Sequence, residues 1–127
     1  AAVQLHGSEN ADYIKSLRGC GAEIWRAVWL SSRGDVAAAA EIECGKLVVD
    51  SSRGASRGGT GLTANWDLAR ELASVRDVFL AGGISFANAR AAIEQVAPYG
   101  LDLNSAVEIS PRKKDTDLIS KYLKTIK

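Results

Sequence analysis

Methionine is absent from all 127 residues, position 1 included. No translation start is visible, so the chain reads as a fragment or a processed product. Histidine occurs once, as His6, which makes a histidine-based metal site or a catalytic triad within these residues a poor fit. The two cysteines, Cys20 and Cys44, lack CxxC or metal-ligand spacing, and reduced thiols in a cytoplasmic protein are the plain expectation. Neither sign of charge dominates: 16 basic residues stand against 15 acidic ones, for a net charge of +1. That balance gives no case for a nucleic-acid or membrane surface. Apolar runs are too short to span a bilayer, and no signal-peptide pattern opens the chain.

What is present is an alternation. A hydrophobic fraction of 46% suffices for the core of one domain, and short β-type runs alternate with helical patterns, as in a parallel sheet covered by helices. The expected strands are 2–5, 23–28, 46–49, 78–81 and 101–103. The helices between them are marked by Ala11, Ile14 and Leu17, by Ala37–Ala40, by Trp66 to Ala73, and by Phe86, Ala89, Ile93 and Val96. Gly19 and Gly21 stop the first helix. The last helix has Asp115 as its N-cap and an apolar stripe of Leu118, Ile119, Tyr122, Leu123 and Ile126. Five β/α units of this kind form either an open sheet complete in itself or part of an eight-stranded barrel whose other strands lie elsewhere.

Working residues of α/β barrels sit at the C-terminal ends of the strands. Asp50 closes an apolar strand, where a partly shielded carboxyl suits proton donation; the alternative is a solvated turn or capping residue. Gly82-Gly83 follows one strand and lets backbone N–H groups approach a phosphate; alone, such a pair is a plain turn. Asn104-Ser105 follows the last strand with small polar donors. Asp102, flanked by Leu101 and Leu103, faces a polar cavity or forms a structural salt bridge. The Gly58-Gly59-Thr60-Gly61 run within a long loop, 51–65, reads as a mobile lid or an idle loop. Arg53 and Arg57 there meet an anion or are simply solvated, and Lys113 and Lys114 read as surface charges.

Together these motifs resemble one family. Val3-Gln4-Leu5-His6-Gly7, Val49-Asp50-Ser51 with the glycine run and Trp66, Leu80-Ala81-Gly82-Gly83, Leu101-Asp102-Leu103-Asn104-Ser105-Ala106-Val107-Glu108 and Lys114-Asp115 are similar, in order and spacing, to phosphoribosylanthranilate isomerase. The Asn104–Glu108 stretch resembles the form found when that enzyme is fused behind indole-3-glycerol-phosphate synthase. The resemblance implies a tryptophan-biosynthesis enzyme that carries out an Amadori rearrangement of N-(5-phosphoribosyl)anthranilate without cofactor or metal. It implies Asp50 as the general acid on the ring oxygen. Gly82, Gly83, Asn104 and Ser105 become the phosphate segments, Asp102 lies near the anthranilate moiety, and Gln4 and His6 are active-site strand residues.

The fold class it implies is α/β, the C-terminal five β/α units of a (β/α)8 TIM barrel, incomplete without three N-terminal units. Those units, covalent or as a separate chain, would supply the general-base cysteine and an arginine for the anthranilate carboxylate. Cys20 and Cys44 precede strands and belong to the opposite end. The chain alone is therefore expected to be inactive. Two other readings are a non-catalytic half-barrel that self-associates into a homo-oligomer, and a different phosphate-binding barrel enzyme. Two local departures also stand out: Ala64-Asn65 precede Trp66 where Phe-Asp is usual, and Arg112 replaces a common glycine after Pro111.

Overall fold

The computed structural model of the chain describes residues 1–50 and 61–126. Five parallel strands form one sheet in the order β1-β2-β3-β4-β5: β1 (Ala2–Leu5), β2 (Glu23–Val28), β3 (Lys46–Asp50), β4 (Val78–Ala81) and β5 (Gly100–Leu101). Helices α1 (Ala11–Ser16), α2 (Arg33–Ala40), α3 (Gly61–Ala73) and α4 (Ala89–Val96) connect them, and α5 (Thr116–Thr125) closes the described chain. Strand order follows chain order, so every crossover moves the same way. With the right-handed rule for such crossovers, the connecting helices stack on one face. Contacts of α2 with α3 and of α3 with α4 follow from this.

Alternation along the strands then divides the side chains. Leu47, Val49, Val78 and Leu80 point to the helices and pack with Trp66, Ala69, Leu72, Ala89, Ala92 and Val96 in the main core. Each large apolar side chain buried there contributes about 1.5–3 kcal/mol. Ala27, Val48 and Ala81 point to the other, inner face, with Trp25, Trp29 and Phe79 against them. A one-residue slip of register would exchange the two faces.

Local signals set the ends of the helices. Asn10 accepts from the Tyr13 N–H, Ser32 and Asp35 form a reciprocal capping box, and Asp115 accepts from the N–H groups of Asp117 and Leu118. After α2, the Arg76 guanidinium donates to the carbonyls of Ala40, Ile42 and Cys44, satisfying oxygens that the helix end and its turn leave over. Tyr122 of α5 is buried, whereas Leu123, expected on the same stripe, is exposed.

The fold class expected from the sequence is corrected here. The described residues make an open five-stranded parallel sheet, partial and barrel-like, and the fifth unit is not a simple β/α unit. Only Gly100 and Leu101 pair with β4, as partners of Phe79 and Leu80. The chain then leaves the ladder into a 3-10 turn, Ser105–Val107, and a two-stranded antiparallel sheet of β6 (Glu108–Ser110) and β7 (Lys113–Lys114) before α5 begins. Leu103 thus lies beyond the strand in which it was expected. Pro111 and Arg112 form the tip of this hairpin. Arg112 has φ +70°, a left-handed backbone that suits the second central residue of a type II turn and favours glycine. Helix α3 also starts earlier than Trp66, at Gly61. The expected lid residues Gly58–Thr60, with Arg53 and Arg57, lie outside the described residues.

Candidate functional site

Alternation that places Val48 on the inner face places Gln4, His6, Asp50 and Asp102 there too, at the ends or just past the ends of β1, β3 and β5. They line a cavity of about 400 Å³ together with Val48, Ala81, Gly82, Gly83, Ile84, Asn104, Ser105 and Ala106. All eight site residues expected from the sequence therefore meet in one cavity, at the C-terminal end of the sheet.

Asp50 is the last residue of β3, and its side chain is 15% exposed. Its Oδ2 lies 4.0 Å from Nε2 of His6, which is about half exposed. That placement leaves the Asp50 carboxyl largely shielded from solvent at the rim of the cavity. His6 is held from two other directions: its Nδ1 is 3.4 Å from Nε2 of Gln4, and its ring meets Trp29 edge-on with centroids 5.3 Å apart. From the helix side, Arg26 donates to the carbonyls of Leu5 and Gly7, which flank His6, and pairs with Glu9 at 2.6 Å. Asp102 follows β5, and its backbone N–H still donates to Leu80. Its carboxylate lines the cavity and forms no ion pair among the described residues.

Gly82 and Gly83 turn the chain out of β4 with φ of +77° and +67°. Two consecutive left-handed residues strain any side chain with a Cβ, so glycine is the residue for this turn. Such a turn aims successive backbone N–H groups in one direction, a geometry suited to anions. Beyond it, Asn88 donates to the Gly83 carbonyl and accepts from the Ser85 N–H, which pins the segment leading to α4.

Lys114, expected as a surface charge, is exposed, and its ammonium reaches from β7 to the carbonyl oxygen of Asn104 at 2.9 Å, to Asn104 Oδ1, and to Glu108 Oε1 at 2.8 Å, contacts that the sequence did not show. The hydrogen bond from Lys114 is the main reason that the Glu108 carboxyl is held below its ordinary value.

The two cysteines lie elsewhere. Cys20 is exposed in the turn before β2, and Cys44 precedes β3, both at the opposite end of the sheet from the cavity. Burial pushes the Cys44 thiol up from its ordinary value, so it stays protonated near neutrality. Among the described residues, no helix is long and apolar enough to cross a membrane.

Comparison with known proteins places this geometry in a family. A family model described as N-(5'phosphoribosyl)anthranilate (PRA) isomerase matches residues 1–125. The N-(5'-phosphoribosyl)anthranilate isomerase of Syntrophus aciditrophicus is 38% identical over 125 residues, covering 98% of this chain and 54% of its own length. The crystal structure of phosphoribosyl anthranilate isomerase from Thermotoga maritima superposes with a TM-score of 0.79 at 32% identity, over 98% of this chain and 60% of that one. A phosphoribosyl anthranilate isomerase solved in complex with reduced 1-(o-carboxyphenylamino)-1-deoxyribulose 5-phosphate gives 0.76 at 29% identity, over 98% and 58%. The chain thus spans little more than half the length of the relatives it matches. The family fold is a complete single-domain (β/α)8 barrel, whereas the described residues hold five parallel strands and a hairpin, which is the second ground for the corrected fold class. With the family model matched over residues 1–125 and the solved relatives sharing its sheet, the chain belongs to the N-(5'-phosphoribosyl)anthranilate isomerase family.

Proposed function

We propose that the protein to which this chain belongs isomerises N-(5'-phosphoribosyl)anthranilate to the 1-(o-carboxyphenylamino)-1-deoxyribulose 5-phosphate, an Amadori rearrangement. The observation that carries this reading is the convergence of Asp50, His6, Gln4 and Asp102 with the Gly82-Gly83 and Asn104-Ser105 turns on one cavity. The phosphate occupies the side lined by Gly82, Gly83, Asn104 and Ser105, where backbone and side-chain N–H or O–H groups meet its oxygens. Asp50 donates a proton to the ribose ring oxygen as the C1–O bond breaks and the anthranilate nitrogen lone pair forms the C1=N bond. Loss of the C2 proton then gives an enolamine, and protonation at C1 with departure of the C2 hydroxyl proton gives the 2-keto product. His6 beside Asp50 orients the acid, and Gln4 and Asp102 contact the sugar–anthranilate portion.

The group that removes the C2 proton is neither Cys20 nor Cys44, because both lie at the other end of the sheet. The 127 residues by themselves are accordingly expected to lack turnover, and the full-length protein to have it. Chromatographic detection of the deoxyribulose phosphate product from phosphoribosylanthranilate tests this. No conversion by the full-length protein would overturn the reading.

A further inference from the structure

Asn104 carries an amide with two opposite ends, an oxygen that accepts and an NH2 that donates. A phosphate dianion accepts only, so the two ends are not interchangeable toward it. Lys114 decides which end faces which way. An ammonium has no acceptor, so the amide atom that meets Nζ is the oxygen, Oδ1, and Nδ2 is left on the other side. Among the described residues no acceptor takes Nδ2, and Asn104 lines the cavity.

The ammonium itself is fully engaged. It has three N–H donors and three acceptors: the Asn104 carbonyl, Asn104 Oδ1 and Glu108 Oε1. Glu108, with 16% of its side chain exposed, also balances the charge of Lys114. A lysine with no remaining donor does not add a direct hydrogen bond to a ligand. What it does is hold both the backbone and the side chain of Asn104 in one geometry. The hairpin of β6 and β7 presents it: Glu108 pairs with Lys114 across the ladder, and the Asp115 N–H donates to the Val107 carbonyl, tying the strand end to the 3-10 turn beyond Asn104.

We infer that Lys114 is a positioning residue for the phosphate subsite, fixing the Asn104 amide so that its donor end faces the ligand's phosphate. The inference rests on the proposed function, because it takes the ligand of Asn104 to be a phosphate. It also explains why a residue on a surface hairpin bears on a cavity formed by the main sheet. Lys114 acts here through Asn104, and its contribution is to affinity for the phosphate group rather than to the bond-breaking steps.

The test uses the full-length protein and two readouts: KM and kcat with phosphoribosylanthranilate, and inhibition by inorganic phosphate. Lys114→Met should raise KM and the inhibition constant for inorganic phosphate together, by about tenfold, the effect of one misplaced hydrogen bond to a charged group. The kcat should stay within about twofold. Asn104→Ala should do the same, and Lys114→Met added to Asn104→Ala should cost little more, because both act through one amide. Lys114→Arg, which keeps a cationic donor, should recover part of the phosphate affinity, whereas a purely structural role would leave phosphate affinity and KM unmoved in all variants that fold. If Lys114→Met does not fold, Lys114→Arg and Glu108→Gln carry the same comparison. Unchanged phosphate inhibition in every folded Lys114 variant, or fully additive losses in the double variant, would overturn the inference while leaving the proposed function standing. Absence of both turnover and phosphate inhibition in the unsubstituted protein would overturn the two together.

Discussion

The inner face of the sheet carries polar groups at both ends, and the two sets are built differently. At the N-terminal end, Glu23 accepts from Lys46 Nζ at 2.8 Å and from the Trp25 indole N–H at 2.9 Å. Trp25 stacks on Phe79 with centroids 4.7 Å apart, Phe79 meets Tyr99 edge-on, and the Lys46 ammonium lies 5.0 Å from the Tyr99 ring centroid. Each charge there has a partner, and neighbouring strands hold one another in register. At the C-terminal end the contacts between Gln4, His6 and Asp50 are long, 3.4 and 4.0 Å, and surround a cavity. The first set ties neighbouring strands together; the second lines the cavity.

That contrast predicts opposite phenotypes. Asp50→Asn in the full-length protein should lower kcat by roughly a hundredfold or more while sparing stability and phosphate inhibition. Near-normal turnover would remove Asp50 from the mechanism. Gly100→Ala should do the reverse. Its Cβ would lie 2.6 Å from Cε1 of Phe79, so the stacked rings must shift, at a cost of about 1–3 kcal/mol of stability in denaturant melts, with phosphate inhibition kept. A loss of phosphate affinity without a loss of stability would mean that the two ends are not separable.

Smaller effects sharpen the comparison. Arg112→Gly, at the left-handed tip of the hairpin, should raise stability by about 0.5–1 kcal/mol, since glycine relieves the backbone strain but is looser when unfolded. A destabilised glycine variant would show that the arginine side chain matters more than its φ. Glu23 is held below its ordinary 4.5, first by the hydrogen bond from Lys46, and Lys46 above its ordinary 10.5 by the same bond. A depressed acid contributes stability above its unfolded value and loses it as pH falls through the lowered one. A raised base contributes below its unfolded value and loses it as pH rises through the raised one. The melting-temperature gap between the unsubstituted protein and Glu23→Gln should therefore be flat across neutral pH and close below about pH 4.5. A gap that widens in acid would break the assignment. Alkylation of the exposed Cys20 should leave turnover unchanged, and inactivation by that modification alone would bring the far end of the sheet into the mechanism.

Much of the site was legible because it depends on strand ends. Apolar runs that stop at a polar residue or a glycine pair located Asp50 and Gly82-Gly83, the family resemblance added Gln4 and His6, and period-two alternation carries all inner-face residues to one side once a single strand is oriented. The early ladder exit after Leu101 was not legible, because nothing local distinguishes Leu101 from Leu103. Nor was the hairpin, whose tip carries Arg112 where a glycine would have announced a left-handed turn. The partners of Lys114 were not legible either: a lysine's neighbours in sequence do not reveal which carbonyls lie ten residues back in space.

What the sequence determined by itself is the first four strands and the local caps, since periodicity, glycine pairs and side-chain acceptors act within a few residues. Asp115 capping α5 and Ser32 with Asp35 opening α2 need no distant partner. The tertiary structure alone decided which polar groups neutralise one another and which converge on a cavity. Those choices depend on contacts between strands and hairpins far apart in the chain, which no local pattern encodes.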